Sequence, residues 1–330
     1  MIVGAGLAGL VAARALVDSG AGVLLLERSG GPGGRLATRR LGGATLDHGA
    51  QFFTVRSDQF AALVDRWRDL GAGIITWSEG FAQASDLRGG PDAVTDTGGD
   101  GHPRFVVRNG MNALATVLGR DLEIRSAVHV SAVRPEAGGW LVDIDRATDR
   151  PVHGRALLCT PPVPQTLALF PDTTALPSQL QDVTFDPCLA LLVVLDRDPV
   201  LPEPGGIQFA GGPVRWLSDN ARKPVSQRPA LTVHATTDWS RAFFDADAEQ
   251  IRTPLLVWLK PWMGRAQVVA THLTRWRYAQ PATTVDERTL LATVGASPAA
   301  FAGDAFGHPR VEGAARSGLA AADLLRAALG

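Results

Sequence analysis

Few residues in this chain can cross-link. Among 330 residues there are two cysteines, Cys159 and Cys188, one tyrosine and three methionines. The only lysines are Lys223 and Lys260. Two cysteines make neither a disulfide framework nor a metal site, and they point to a reduced, cytoplasmic setting. No stretch has about 18 uninterrupted apolar residues, so no membrane span is predicted. The net charge of -1 (32 basic, 33 acidic) excludes a bulk electrostatic pull toward nucleic acid or an anionic membrane. The scarcity of lysine against arginine reads as base composition rather than function. No Ser/His/Asp or zinc spacing stands out, and the histidines are scattered.

What is there is an ordinary soluble composition, 45% hydrophobic and 20% charged, in a chain about twice a common single-domain length. The opening stretch is apolar but lacks the basic start of a signal peptide. Gly4-Ala5-Gly6-Leu7-Ala8-Gly9 is a G-x-G-x-x-G turn; it is followed by a helical pattern to Asp18 and an apolar strand closed by Glu27. Only Met1-Ile2-Val3 precede it, leaving a very short first strand. Gly4 permits the tight turn, Gly6 lets a pyrophosphate approach the backbone, and Gly9 lets helix and strand pack closely. The helix start offers N–H groups to phosphate, and Glu27 stands where a ribose would be held.

Further elements follow. Ser57 caps a helix with apolar positions Phe60, Leu63, Val64, Trp67 and Leu70, ended by Gly71. Residues 85–103 read as a long exposed loop. A short helix is expected over Met111–Leu118, strands with a hairpin over 122–145, and a buried strand at 155–160. Strands are expected over 189–195, 231–235 and 267–276. A helix over roughly 246–259 is predicted to break or restart at Pro254. The last helix covers about 311–329.

Near the C-terminus, Gly303-Asp304 precedes Arg310-Val311-Glu312 at the start of that last helix. A plain NAD unit needs only the first glycine turn. FAD is long enough to need both ends, its adenine half at the first and its flavin half at the second. Gly34 and Arg35 would bring a guanidinium to the diphosphate, or Arg35 is a surface arginine. Asp304 would accept from a ribityl hydroxyl, or caps the helix. FAD is therefore the expected cofactor. The expected fold is α/β: a two-lobe FAD-binding, glutathione-reductase-like Rossmann fold with a mixed-sheet substrate domain. Residues 1–55, 105–160 and 295–330 are assigned to the FAD domain, and 56–104 and 161–294 to the substrate domain.

The chain resembles the renalase family, small relatives of the amine oxidase flavoproteins. The likeness is carried by the glycine turn, Gly33-Gly34-Arg35-Leu36-Ala37-Thr38, the stretch Asp47 to Arg56, and Gly303-Asp304 with Arg310 to Ala314. It also runs through Trp216-Leu217 with Asn220 and Lys223-Pro224, His234-Ala235-Thr236 with Trp239-Ser240, and Arg275-Trp276 with Tyr278-Ala279 and Pro281. The loop Ala305 to Pro309 departs from the family pattern. The resemblance implies bound, non-covalent FAD and oxidation of 2- or 6-dihydro isomers of NAD(P)H to NAD(P)+, with O2 reduced to hydrogen peroxide. Bacterial members are associated with the 6-dihydro form. It implies FAD contacts from Gly6, Leu7, Glu27, Arg35, Gln51, Val130, Asp304, Arg310 and Val311. It places Phe52, Phe53, Thr54 and Arg56 on the substrate side.

The other expected cofactor contacts are Gly4, Ala8, Gly9, Arg28, Gly34, Ala50, Gly303 and Glu312. Hydride transfer between stacked rings needs alignment more than a protein nucleophile, so no catalytic side chain is assigned. Phe52, Phe53, Trp276 and Tyr278 could wall a pyridine nucleotide or be core. Arg56 and Arg277 could pair with phosphates or lie on the surface. His234 could face the pocket or be structural; His48 reads as a packed histidine. Neither lysine falls on a segment expected beside the flavin, which argues against ordinary amine oxidation. Amine or polyene oxidation on the same fold, and a non-catalytic flavin-binding module, are the alternatives.

Overall fold

The computed structural model describes residues 1–96, 99–145, 151–294 and 297–330. Two sheets organise it. The first has the strand order Leu290–Val294, Ser297–Phe301, Leu157–Cys159, Ile2–Val3, Leu24–Leu26, Glu123–Arg125. Ile2–Val3 pairs in parallel with Leu157–Cys159 on one side and Leu24–Leu26 on the other. The chain therefore winds outward one way from Ile2–Val3 and later returns on its other side. Such a reversal opens a crevice at the C-terminal ends of the strands. The glycine turn begins at that point.

The α/β Rossmann expectation holds in this sheet, and Leu7–Asp18 is a helix as predicted. Apolar positions on its faces, Leu7, Leu10, Val11 and Leu16, are buried. The last helix, Arg310–Leu329, lies directly against it. That closeness depends on Gly318, where a Cβ would come within 2.3 Å of the Ala8 carbonyl oxygen.

The second sheet has seven strands in the order Val268–Pro281, Phe185–Leu195, Ala230–Ala235, Val214–Asp219, Gly206–Phe209, Ala82–Ala84, Val94–Asp96. It is mixed: Gly206–Phe209 runs parallel to Ala82–Ala84, while the other pairings are antiparallel. Helix Ala248–Met263 buries Ile251, Leu255, Leu259 and Trp262 in the apolar cluster on one face of this sheet. A three-stranded meander (Val130–Glu136, Gly139–Ile144, Val152–Gly154) contains the expected hairpin.

Several expectations need correction. Helix Ala248–Met263 runs through Pro254 and Pro261 without ending at either. Pro254 lies early in the helix, where it removes one intrahelical bond, and burial of the apolar face on both sides holds the helix together. Its start is reinforced by Gln250 Oε1, which accepts from Asp247 N at 3.1 Å. The span 85–103 is not all exposed loop. It contains a 3-10 segment, Leu87–Ala93, and an edge strand, Val94–Asp96. Residues 97–98 lie outside the described residues.

Packing also crosses the expected lobe boundaries. Helix Asp58–Asp69 puts Phe60, Val64 and Trp67 into the same hydrophobic cluster as the first helix. Its start is tied to the last helix: Glu312 accepts from Arg56 N at 2.8 Å and from Ser57 Oγ at 2.6 Å. Strand Leu290–Val294 edges the first sheet, although it falls in the range assigned to the substrate domain. No helix among the described residues is long and apolar enough to cross a membrane. Both cysteines are buried free thiols, and burial pushes them above the ordinary thiol range.

Candidate active site

One large cleft, about 2200 Å³, lies between the two sheets. Ligand pockets usually hold about 300–1,000 Å³, so there is room for two extended molecules. All the expected cofactor and substrate residues line it except Gly9. Gly9 instead sits beneath the turn, where a Cβ would come within 2.2 Å of the Gly4 carbonyl oxygen.

At one end the walls are mostly backbone. Gly33 N donates to Ala5 O at 2.8 Å, docking the second glycine loop on the first. Gly4 (φ +95°) and Gly33 (φ +132°) adopt conformations that favour glycine. Glu27 is buried and its carboxylate accepts from Ala5 N at 2.8 Å and Ser29 N at 2.7 Å. It braces the turn while lining the cleft with Arg28 and Val130. The start of the last helix, with Arg310 and Val311, closes the same cleft farther along. Opening turn and closing helix thus share one elongated space.

Arg35 and Asp304 meet each other: the guanidinium donates to both carboxylate oxygens, at 2.7 and 2.6 Å. The sequence expects them as separate contacts, to diphosphate and ribityl, and does not reveal the pair across 269 residues. Glu312, expected as a cofactor contact, has both oxygens engaged by the segment 56–57. Ala50 and Gly303 also border the cleft.

Gln51 is held from every side. Its Oε1 accepts from Ser218 Oγ at 2.9 Å and from Trp216 Nε1 and Lys223 Nζ, each at 3.4 Å. Its Nε2 donates to Asp47 O at 2.8 Å and Gly49 O at 3.1 Å. Gln51 therefore shapes the cleft wall by fixing the turn at 48–52 rather than by offering a free amide.

Behind Gln51 lies a buried ion pair that sequence reasoning missed. Lys223 Nζ is 2.7 Å from Asp47 Oδ2, and both side chains are fully buried. Asp47 Oδ1 also accepts from Thr38 Oγ1 at 2.5 Å and Met111 N at 2.8 Å. Burial lowers the Lys223 pKa, opposed by the Asp47 charge. The expectation that neither lysine approaches the site is thus corrected: Lys223 stands one residue behind its wall. Its local sequence gave no sign of burial, because the pairing partner is 176 positions earlier.

On the substrate side, Phe53 belongs mainly to the core. It is 3% exposed and packs on Phe60 and Phe105. Phe52 packs instead with Phe81 and Trp216 along the cleft. Trp276 Nε1 donates to His48 O at 2.8 Å, and its ring stacks on the His48 ring at 5.4 Å. Tyr278 stands edge-on to Phe185. Thr54 and Arg56 lie at the rim near the last helix.

His234 lies 3.2 Å from the His48 carbonyl oxygen through Nε2. Burial, reinforced by Arg215, lowers its pKa to about 3. Burial and then Arg39 lower that of His48 to about 4. Both rings are neutral at pH 7.

Charge in the cleft is lopsided. Ten arginines line it against three carboxylates, Glu27, Asp304 and Glu312. The carboxylates already bind backbone N–H groups, Ser57 or Arg35. Arg215 enters the cleft because of a register shift between Val214 and Trp216, which adds one residue opposite Ala235–His234. A bulge of this kind turns a side chain that regular alternation would send to the other face. Its guanidinium donates to Gln280 Oε1 at 3.1 Å.

Comparison with known proteins fits this architecture. The family model of NAD(P)-binding Rossmann-like domains matches residues 2–67, and that of flavin containing amine oxidoreductases matches residues 66–326. Among curated proteins, lysine-specific histone demethylase 1 homolog 2 from Arabidopsis thaliana is 42% identical over 76 residues, 23% of this chain. Phytoene dehydrogenase from Streptomyces griseus is 42% identical over 72 residues, 21% of this chain. The matched stretches span only 8% and 14% of those relatives' own lengths. Among solved structures, a protein assigned as a protoporphyrinogen oxidase from Exiguobacterium sp. 255-15 superposes with a TM-score of 0.77 at 15% identity. Wild-type putrescine oxidase bound to putrescine does so with a TM-score of 0.71 at 17% identity. Both likenesses cover 99% of this chain and 98% of the other, and they concern the fold.

Proposed function

This chain belongs to the flavin containing amine oxidoreductase family, and from that premise we propose that it oxidises misreduced pyridine dinucleotides. The substrates are the 2- or 6-dihydro isomers of NAD(P). The balanced reaction is dihydro-NAD(P) + O2 + H+ giving NAD(P)+ + H2O2.

FAD is the family's cofactor, and the residues present fit it. Gly6, where a Cβ would meet no protein atom, leaves backbone open to a diphosphate beside Gly4 and Gly33–Gly34, and the same cleft extends to the last helix. When bound, FAD supplies a hydride acceptor that O2 can reoxidise. Glu27, Arg28 and Val130 hold its adenosine end, the glycine turns and Arg35 its diphosphate, and Asp304, Arg310 and Val311 the remainder. In this reading the FAD lobe also includes helix Asp58–Asp69 and strand Leu290–Val294.

The observation that carries the substrate class is the charge of the cleft. Arg35, Arg104, Arg277 and Arg316 are paired with carboxylates, and Arg215 and Arg275, which have no carboxylate partner among the described residues, attract an anion and repel a protonated amine. A dinucleotide brings a diphosphate, which the Arg215 side of the cleft can pair with. Phe52, Trp276 and Tyr278 orient a flat ring. Loss of hydride from a dihydropyridine leaves no proton for a base to remove at the reacting carbon. Neutral His234 and His48, without a free carboxylate nearby, suit that demand. The resemblance to renalases supports the isomeric dihydro forms over ordinary NADH.

An amine substrate is the second reading, favoured by Lys223 near the wall. Lys223 Nζ is engaged by Asp47 and Gln51 and has no exposure to the cleft. Anaerobic titration separates the two. The yellow holoprotein is expected to bleach with 6-dihydro-NAD, recover in air, and release peroxide. Bleaching by a panel of primary amines, with none by the dihydropyridines, overturns the proposal.

A further inference from the structure

The second sheet carries a rank of four side chains that cross it strand by strand. Gln83 is in register with Gln208, Gln208 with Trp216, and Trp216 with His234. Residues directly opposite in a sheet share a face, and all four line the cleft. Neighbouring strands are about 4.8 Å apart, so the rank runs about 14 Å from His234 to Gln83. Its two ends differ. His234 and Trp216 are buried, and their polar atoms are tied to Gln51 and the His48 carbonyl. Gln83 and Gln208 are exposed to the cleft, and among the described residues neither side-chain amide has a partner.

From this juxtaposition we infer a distal subsite, formed by Gln83 and Gln208 beside the Phe52 and Trp216 rings, that binds the adenine end of the dinucleotide substrate. The inference rests on the proposed substrate being a dinucleotide. A glutamine amide presents a donor and an acceptor side by side, the pattern that matches the N6/N7 edge of adenine. Aromatic faces give a base something to stack on. Arg215, bulged out one residue before Trp216, lines the same cleft, and its guanidinium reaches Gln280 Oε1 beyond the His234 end of the rank, where it can meet a phosphate next to the first ring. The rank therefore measures a substrate with two heterocycles: one ring beside His234 and Trp276, the second at the amides.

The test uses FAD-loaded protein and the double variant Gln83→Leu/Gln208→Leu. Both positions are exposed, so the variant keeps its fold. Titration with ADP-ribose reads the subsite without turnover. The expected result is binding to the unmodified protein and a Kd raised about tenfold in the variant. No binding, or equal binding by both proteins, overturns the subsite. Kinetics give the second readout. With 6-dihydro-NAD the variant is expected to raise KM about tenfold and leave kcat in place. With 6-dihydro-nicotinamide mononucleotide, which lacks the adenylate, both proteins are expected to be equal. An equal loss on both substrates means a structural role and overturns the subsite. Failure of the underlying reading looks different: the flavin stays oxidised with either dihydropyridine, while ADP-ribose still separates the two proteins.

Discussion

The two ends of the cleft are built by opposite means. At the nucleotide end the wall is mostly backbone, brought close together by residues without side chains. Gly4, Gly9, Gly33 and Gly34 lie within 31 residues of one another in the chain. At the far end the working groups are side chains set in a row by strand register, drawn from positions 83, 208, 216 and 234. The first end is shaped by turns close in sequence, although Thr160, Asn112 and Gly318 also pack tightly against it. The second accepts side-chain changes at its exposed members yet depends on long-range contacts to stay in register. Asp47 and Lys223 join the two, linking the hairpin Thr38–Asp47 region to the second sheet.

Breaking that link should have the largest effect. Lys223→Met leaves the Asp47 charge buried without its counter-ion and is expected to destabilise the fold by about 3–5 kcal/mol. Chemical denaturation measures it. The double variant Asp47→Leu/Lys223→Met should recover part of the loss, because neither charge is then stranded.

At the nucleotide end, Gly318→Val should cost about 1–3 kcal/mol by overpacking. The added side chain meets the Ala8 carbonyl and pushes the last helix from the first. FAD retained after gel filtration should fall with it. An equal thermal midpoint and full FAD content would mean that the helices need not approach so closely.

A third comparison uses pH. His234 and His48 have pKa values lowered by burial to about 3 and about 4. Between those values and the unfolded value near 6.5, the unfolded chain binds protons that the folded one refuses. Stability is then full above about pH 6.5 and declines as pH falls, by about 1.4 kcal/mol per pH unit for each histidine. Replacing His234 with Asn should flatten the slope between pH 6 and 4. A slope unchanged by that replacement would place the acid sensitivity elsewhere.

The smallest effect concerns recognition alone. Arg215→Ala should leave stability within about 0.5 kcal/mol of the parent. It should raise KM for 6-dihydro-NAD about tenfold with kcat unaltered, the signature of lost uniform binding. A fall in kcat at constant KM would instead put Arg215 at the reacting ring.

Legibility followed the same divide. Helix Leu7–Asp18, the strand at 24–26, the Ser57-capped helix and the glycine turn were readable because their determinants are local. The residues around the cleft could be named from motifs, but their partners could not. Arg35 and Asp304 were assigned separate tasks and form a pair. Gln51 was assigned to the cofactor and proves to be a bracket between two sheets. Lys223 fell on no segment expected beside the flavin and is among the most buried side chains. Pro254 looked like a helix break and is carried through by burial of Ile251 and Leu255.

By itself the sequence determined where the chain turns, which faces are apolar and where a nucleotide's phosphates can be held, because those depend on backbone freedom and side-chain periodicity within a few residues. Only the tertiary structure decided which charges neutralise one another, which amides stay open to the cleft, and that Arg215 points into it. Those outcomes are set by strand register and a single bulge, and they bring together residues that no local spacing relates.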